Sequence, residues 1–273
     1  MYRRELLRLL GALALPRSVL ANGLHRRIES IGLQLYTVRD ALRSAFDATL
    51  ARVAAIGYRE VEFAGYFGRT ANEVRKSLRQ AGLVAPSAHV PLDAIAAGWE
   101  SVIENARSIG HRYLVVASPG AVTNIDSYRR IAERFNHAGE VAAKAGIRFA
   151  YHNHEADFSA LDGILPYDVL LEMTEPKLVC FEMDFYWITR GGQNPLAYFT
   201  RWPGRFALVH AKDAGGAPPY QMEDVGAGII DWRGIFSHEK QAGIERVFVE
   251  RDDAPDAFAS IAVSYGYLRD LRF

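Results

Sequence analysis

KAGIRFAYHNH, residues 144–154, decides how this chain folds. Gly146 marks the end of a helical pattern, because glycine alone enters the left-handed backbone without steric cost. An apolar run follows and ends on two histidines one residue apart. Helix, glycine, short buried strand and polar strand end together make one β/α unit. The same joint recurs outward in both directions, as AAIGY (54–58), QAGLV (80–84), SIGHR (108–112) and QAGIE (241–245). Such a recurrence points to one repeating architecture, not to separate domains. Eight strand patterns can be read: IGLQLYT (31–37), YREVEFAG ending near Phe63, VAPSAHV (84–90), RYLVVAS, GIRFAYHNH, LVCFEMDF, RFALVHAKD and IERVFVERD. A helix is expected from Asp40 to about Ile56 and a last one from Asp256 to Leu271. Eight β/α units in 273 residues predict a closed (β/α)8 barrel over 26–273. A doubly wound open sheet is the weaker alternative, since no glycine-rich phosphate turn follows the first strand.

Composition narrows the function. A hydrophobic fraction of 49% supports a large core, and 32 basic against 32 acidic side chains leave no net charge. That balance disfavours nucleic acid or an anionic membrane as partner and favours a small molecule. Homo-oligomerisation is left open. The single cysteine, Cys180, rules out an internal disulfide and a thiolate-rich zinc site, and reads as a packing residue. Residues 1–25, MYRRELLRLLGALALPRSVLANGLH, pair Arg3 with Arg4 ahead of an apolar segment and small residues. They resemble a twin-arginine export signal, which implies a periplasmic protein; the alternative is an N-terminal helix on a cytoplasmic one.

In a barrel the site forms where the strands end at their C-termini. Those ends carry Glu62, His89, His152 with His154, Asp184, His210 and Glu250. Each alone could be structural, but convergence on one mouth makes a site. Imidazoles mixed with carboxylates suit Zn²⁺, Mn²⁺, Co²⁺ or Fe²⁺ rather than calcium. Alternation puts His152 and His154 on one strand face, and Glu182 and Asp184 on another. Asp184 is nearer the strand end and is the expected ligand; Glu182 is expected either to stand behind the ligands and support them or to be an interior charge paired with an arginine or lysine.

IGLQLYTVRD (31–40), VEFAG (61–65), YHNHEADF (151–158), MDFYWITRGGQNPLAYF (183–199), RFALVHAKD (205–213), DVGAGIIDW (224–232) and VFVERD (247–252), taken together, resemble the sugar phosphate isomerase/epimerase family of the xylose isomerase-like TIM barrel superfamily. The likeness runs from about Ile31 to the C-terminus. It implies one divalent metal ion (Mn, Zn, Co, Mg or Fe) held by His152, Asp184, His210 and Glu250. Sugar epimerases of the superfamily usually carry glutamate where this chain has His152, which leaves the site one negative charge poorer. The HNH form resembles a branch that includes enzymes acting on 3-keto sugars or glycosides.

The expected chemistry is removal of a proton beside a carbonyl of a sugar, giving epimerisation, isomerisation or elimination. His154 and Glu250 are the expected acid/base groups, with His152 beside them and Lys212 steadying negative charge; alternatively, Lys212 pairs with Asp213. Glu62, His89, Tyr36 and Trp187 are expected to face the substrate, the two aromatic rings by stacking on the sugar. Asp231 reads as a helix N-cap. A three-zinc apurinic-endonuclease-like nuclease fits poorly with a neutral chain. A non-catalytic sugar-binding barrel remains the third class.

Overall fold

Eight parallel strands close on one another in the order β1-β10-β7-β6-β5-β4-β3-β2. This computed structural model describes residues 26–120 and 122–273; the expected export signal, 1–25, lies outside the described residues. The barrel strands are β1 Ile31–Gln34, β2 Glu60–Phe63, β3 Val84–Val90, β4 Tyr113–Val116, β5 Arg148–His152, β6 Val179–Asp184, β7 Leu208–Ala211 and β10 Arg246–Val249. Between β7 and β10 a hairpin, β8 Asp213–Gly215 with β9 Gln221–Glu223, stands apart from the barrel. The main helices outside it are α1 Arg39–Ile56, α2 Ala71–Ala81, α3 Trp99–Ile109, α4 Ile125–Lys144 and α5 Pro166–Met173. Shorter ones follow: α6 Phe185–Arg190, α7 Pro195–Arg201, α8 Trp232–Ser237 and α9 Glu239–Ala242, before α10 Ala257–Asp270. No helix among the described residues is long and apolar enough to cross a membrane.

Each strand is buried on both faces, as parallel strands wrapped by helices must be. Outward-facing Phe149 and Tyr151 of β5 pack on Phe135 of α4, with ring centroids 5.2 and 5.3 Å away. Helix α4 turns Tyr128, Ile131, Ala132, Phe135, Ala138 and Ala142 to that layer, a spacing of three and four residues. The interior has its own apolar floor, which includes Tyr113, Val115, Ala150, Cys180, Leu208 and Phe248. Cys180 is buried there, as its sequence context implied. Gly32 makes room for this floor, since a Cβ at that position would collide with the Phe248 ring.

Several strands stop earlier than expected, and in β1 and β5 a side chain takes over from the ladder. β1 ends at Gln34, whose side-chain oxygen accepts from Tyr36 N at 3.1 Å and starts a 3-10 turn over Leu35–Val38. β5 ends at His152, and the Asn153 amide then exchanges two hydrogen bonds with the Asp184 backbone, 3.0 and 3.3 Å long. Tyr36 and His154 therefore stand on turns above the strands. Gly82 closes α2 at φ 67°, and Asp231 caps α8 by accepting from Gly234 N at 3.0 Å, both as expected.

Candidate active site

Above the apolar floor the interior becomes polar in two levels. On the lower level, His89 Nε2 lies 2.7 Å from Glu182 Oε2 and 3.1 Å from Glu62 Oε1. His210 Nε2 approaches the same two oxygens, at 3.2 and 2.8 Å, and His152 Nδ1 is 3.3 Å from Glu182 Oε2. One ligand atom from each of His89, His152, Glu182 and His210 falls within 4.8 Å of every other. The expected meeting of imidazoles 152 and 210 holds, with ring centroids 4.5 Å apart.

Glu62 completes this level from below and is fully buried. It accepts hydrogen bonds from Gln34 Nε2 at 2.7 Å and from the Ser87 hydroxyl. Its expected place against substrate is therefore corrected: its oxygens are consumed in holding His89 and His210. Gln34 and Ser87 carried no signal in the sequence beyond being polar at inward strand positions. Glu182 is corrected too: its partners are three histidines and no arginine or lysine, and it stands among the atoms that could hold a metal, not behind them. His89 adds to its expected place on the cavity wall a position among the metal-ligating atoms.

The upper level is organised by Lys212. Its Nζ lies 2.6 Å from Glu250 Oε2, 3.0 Å from Asp252 Oδ1 and 3.1 Å from Asp184 Oδ2. Asp184, His210 and Glu250 also have ligand atoms within 4.8 Å of one another. The ammonium nevertheless stands against both carboxylates of that trio. Of the metal set expected from sequence, Asp184, His210 and Glu250 thus converge on the upper level, where the two carboxylates share a lysine, while His152 belongs to the lower cage and His210 to both. Asp252 was missed, lying two residues past the strand-end glutamate. Asp213 does not pair with Lys212; its carboxylate accepts from Ala214 N, Gly226 N, Ile230 N and Trp232 Nε1.

Electrostatics follow this arrangement. Burial opposes charge on His89, but Glu62 and Glu182 outweigh it and raise the imidazole to about 10. His210 is likewise raised, against burial, by Glu182 and Glu250. His152 goes the other way, pushed well below the ordinary range by burial and by its neighbours His210 and His154. Burial works against the Glu182 carboxylate, yet His210 and His89 bring it down to about 2. Burial raises Asp184 to about 6 in spite of Lys212. His154 is lowered to about 4 by burial and then by Lys212.

The donor set fits a divalent cation. His152 Nδ1 and Glu182 Oε1 are buried with no hydrogen-bond partner, a costly state for polar atoms unless something else is bound. Five carboxylates (62, 182, 184, 250, 252) face one lysine, so the interior calls for added positive charge. A metal would supply what protons on His89 and His210 otherwise provide. Three imidazoles and a carboxylate are ligands suited to zinc and its first-row neighbours.

Over the two levels opens a cavity of about 690 Å³. His89, His152, His154, Lys212, Glu250 and Asp252 line it, with Tyr36, Val90, Pro91 and Leu92 as its apolar wall. Tyr36 is where its strand-end position placed it, 41% exposed with the Arg39 guanidinium 4.1 Å above its ring. Trp187 backs the wall instead of facing the cavity, 5.5 Å from the His154 ring and 5.4 Å from Lys212 Nζ.

Residues 50–265 match the family model described as xylose isomerase-like TIM barrel. Among curated proteins the chain is similar to inosose dehydratase 2 of Bacillus cereus (strain ZK / E33L), 21% identical over 192 residues. That match covers 62% of this chain and 64% of the relative, so the chain spans less than two thirds of the relative's length. Among solved structures it is similar to a sugar phosphate isomerase/epimerase from Parabacteroides distasonis ATCC 8503: 27% identity, TM-score 0.78, covering 89% of this chain and 98% of that one. It shares its fold with the IolI protein with a bound zinc atom, at 13% identity, TM-score 0.70, and coverage of 87% and 95%.

Proposed function

The chain belongs to the xylose isomerase-like TIM barrel family, and from that membership and the two-level interior we propose a metal-dependent, sugar-modifying enzyme that removes a proton beside a carbonyl. The observation that carries this reading is the convergence of His89, His152, Glu182 and His210 within 4.8 Å beneath a cavity walled by further acid/base groups. A divalent ion held by those four side chains would supply a Lewis acid for the carbonyl oxygen of the substrate. The zinc of the IolI protein supports a metal, though not its identity.

The chain's own residues divide the remaining work. His154 lines the cavity, and burial together with Lys212 keeps its imidazole neutral, so it can receive the proton leaving carbon. Glu250 is kept ionised by Lys212 and His210, against its burial, and offers a carboxylate to a substrate hydroxyl. Lys212, fixed by three carboxylates, holds Glu250 in place. Asp157 accepts from His154 N at 2.8 Å and sets the height of that imidazole over the cage.

The test is solvent exchange. Metal-loaded protein with a keto-sugar in deuterated water should place deuterium on the carbon next to the carbonyl, and His154→Gln should slow that by about 100-fold or more. A protein that binds the sugar and never exchanges the proton would overturn the proposal. After the proton is lost, the dehydratase name of the curated relative favours elimination of a β-hydroxyl over return of the proton to the other face. An unsaturated ketone as product supports elimination; a stereoisomer supports epimerisation.

A further inference from the structure

We propose that the cavity selects uncharged polyhydroxy ketones and excludes their phosphate esters. The inference rests on the reading of this cavity as a sugar site. Phosphate carries a charge of about −1.5 to −2 at neutral pH and is bound by arginine, lysine or clustered backbone N–H groups. Each of those devices occurs near this mouth, and each is already engaged within the chain, most of them by carboxylates.

The cation comes first. Among the described lining residues Lys212 is the one lysine or arginine, against Asp93, Glu250 and Asp252 in the same lining. It is 1% exposed and bridged to Asp184, Glu250 and Asp252 at 2.6–3.1 Å. A phosphate could claim it only by displacing those carboxylates. The arginines bordering the mouth are engaged as well. Arg39 donates to the Tyr36 and Asp252 carbonyl oxygens, Arg190 pairs with Glu155, and Arg251 pairs with Asp224 and Asp253.

The backbone donors tell the same story. The glycine-rich loop at 224–230 is the natural anion cradle of this barrel end, but Gly226 N and Ile230 N both donate to Asp213, at 2.8 and 3.2 Å. Asp213 is fully buried, and a Cβ at Gly228 would run into its carboxylate. The first turn of α6 is filled by Asp184, which accepts from Trp187 N at 2.8 Å, and His154 N is taken by Asp157. What remains is a wall of acceptors with an apolar side formed by Tyr36, Val90, Pro91 and Leu92. Hydroxyl groups donate to carboxylates, and the C–H face of a sugar packs on that apolar side. A phosphate would meet repulsion from Asp93, Glu250 and Asp252, with Lys212 already bridged to three carboxylates of the chain.

Calorimetry on the full zinc-loaded chain tests this with matched pairs: D-fructose and its 6-phosphate, D-ribulose and its 5-phosphate, 2-keto-myo-inositol, and inorganic phosphate. At least one neutral ketone should bind, its ester at least about tenfold more weakly. Inorganic phosphate at about 10 mM should displace none of them. An ester that binds as tightly as its parent, or displacement by inorganic phosphate, overturns charge selection; if that ester also exchanges its proton, the proton-abstraction reading stands alone. A neutral ketone that binds without exchange sinks proton abstraction and supports charge selection. If no member of the panel binds, both fall.

Discussion

Glu182 sits two residues before Asp184 on the same face of β6, and that offset separates a cage residue from a rim residue. At the residue scale the two should therefore respond differently to loss of charge. Glu182→Gln leaves three imidazoles to hold the ion and should lower zinc affinity by more than the 10–100-fold typical of groups outside the ligand set. Glu62→Gln, which disturbs only the support of His89 and His210, should fall within about that 10–100-fold range. Metal content after dialysis against a weak chelator reads both. If Asp184→Asn loses the ion and Glu182→Gln keeps it, the cation belongs to the rim set. His111 gives a separate prediction, on stability. It is buried, with Nε2 2.9 Å from the Tyr66 hydroxyl and Nδ1 2.6 Å from the Ala85 carbonyl, and burial lowers it to about 4. The unfolded chain then binds a proton that the folded chain refuses, so stability is full above the ordinary imidazole range. It falls as pH drops from about 6.5 to about 4, by about 3 kcal/mol. His111→Gln should flatten that acid limb in denaturant titrations; an unchanged limb would mean that His111 does not couple folding to pH.

At the scale of elements, the strand ends matter most, because they set the height of each side chain over the floor. Asn153 stands in for the backbone ladder between β5 and β6, holding Asp184 N and O after the strand itself has stopped. Asn153→Ala leaves a buried N–H without an acceptor, which costs about 1–3 kcal/mol. It should also loosen His154, so proton exchange should fall while zinc content stays; loss of zinc first would show that Asn153 supports the cage. This substitution of side chain for ladder also explains what the sequence could and could not show. All eight barrel strands were legible from apolar runs between glycine joints, and the histidines and acids at their ends were legible from alternation. The early ends of β1 and β5 were not, because Gln34 and Asn153 read as ordinary polar residues until their partners, Tyr36 N and Asp184, are placed beside them. For the same reason Lys212 could not be assigned: its carboxylates at 184, 250 and 252 are remote or nonadjacent in sequence, while the adjacent Asp213 turns away to the glycine loop.

At the scale of the molecule, everything above the floor depends on the seam where the first and last strands meet. β1 pairs with β10 in parallel, Gly32 opposite Phe248, and the Phe248 ring fills the floor space a side chain at 32 would otherwise occupy. The backbone of Gly32 lies outside the left-handed region, so space, not dihedral freedom, is what demands glycine there. Gly32→Ala should thus overpack the floor and cost about 1–3 kcal/mol. Phe248→Ala opens a void instead and should cost about 3–5 kcal/mol. Combined with the smaller Phe248→Leu, Gly32→Ala should cost less than the sum of the two single changes, since the leucine vacates the volume the new methyl enters. Urea midpoints of the four proteins give this coupling, and additive costs would mean that the seam closes without this contact. The prediction reaches the site because Glu250 follows directly on β10 and Gln34 ends β1. A seam pushed apart by Gly32→Ala moves both the rim carboxylate and the support of Glu62, so zinc affinity should fall with stability and return when Phe248→Leu is added.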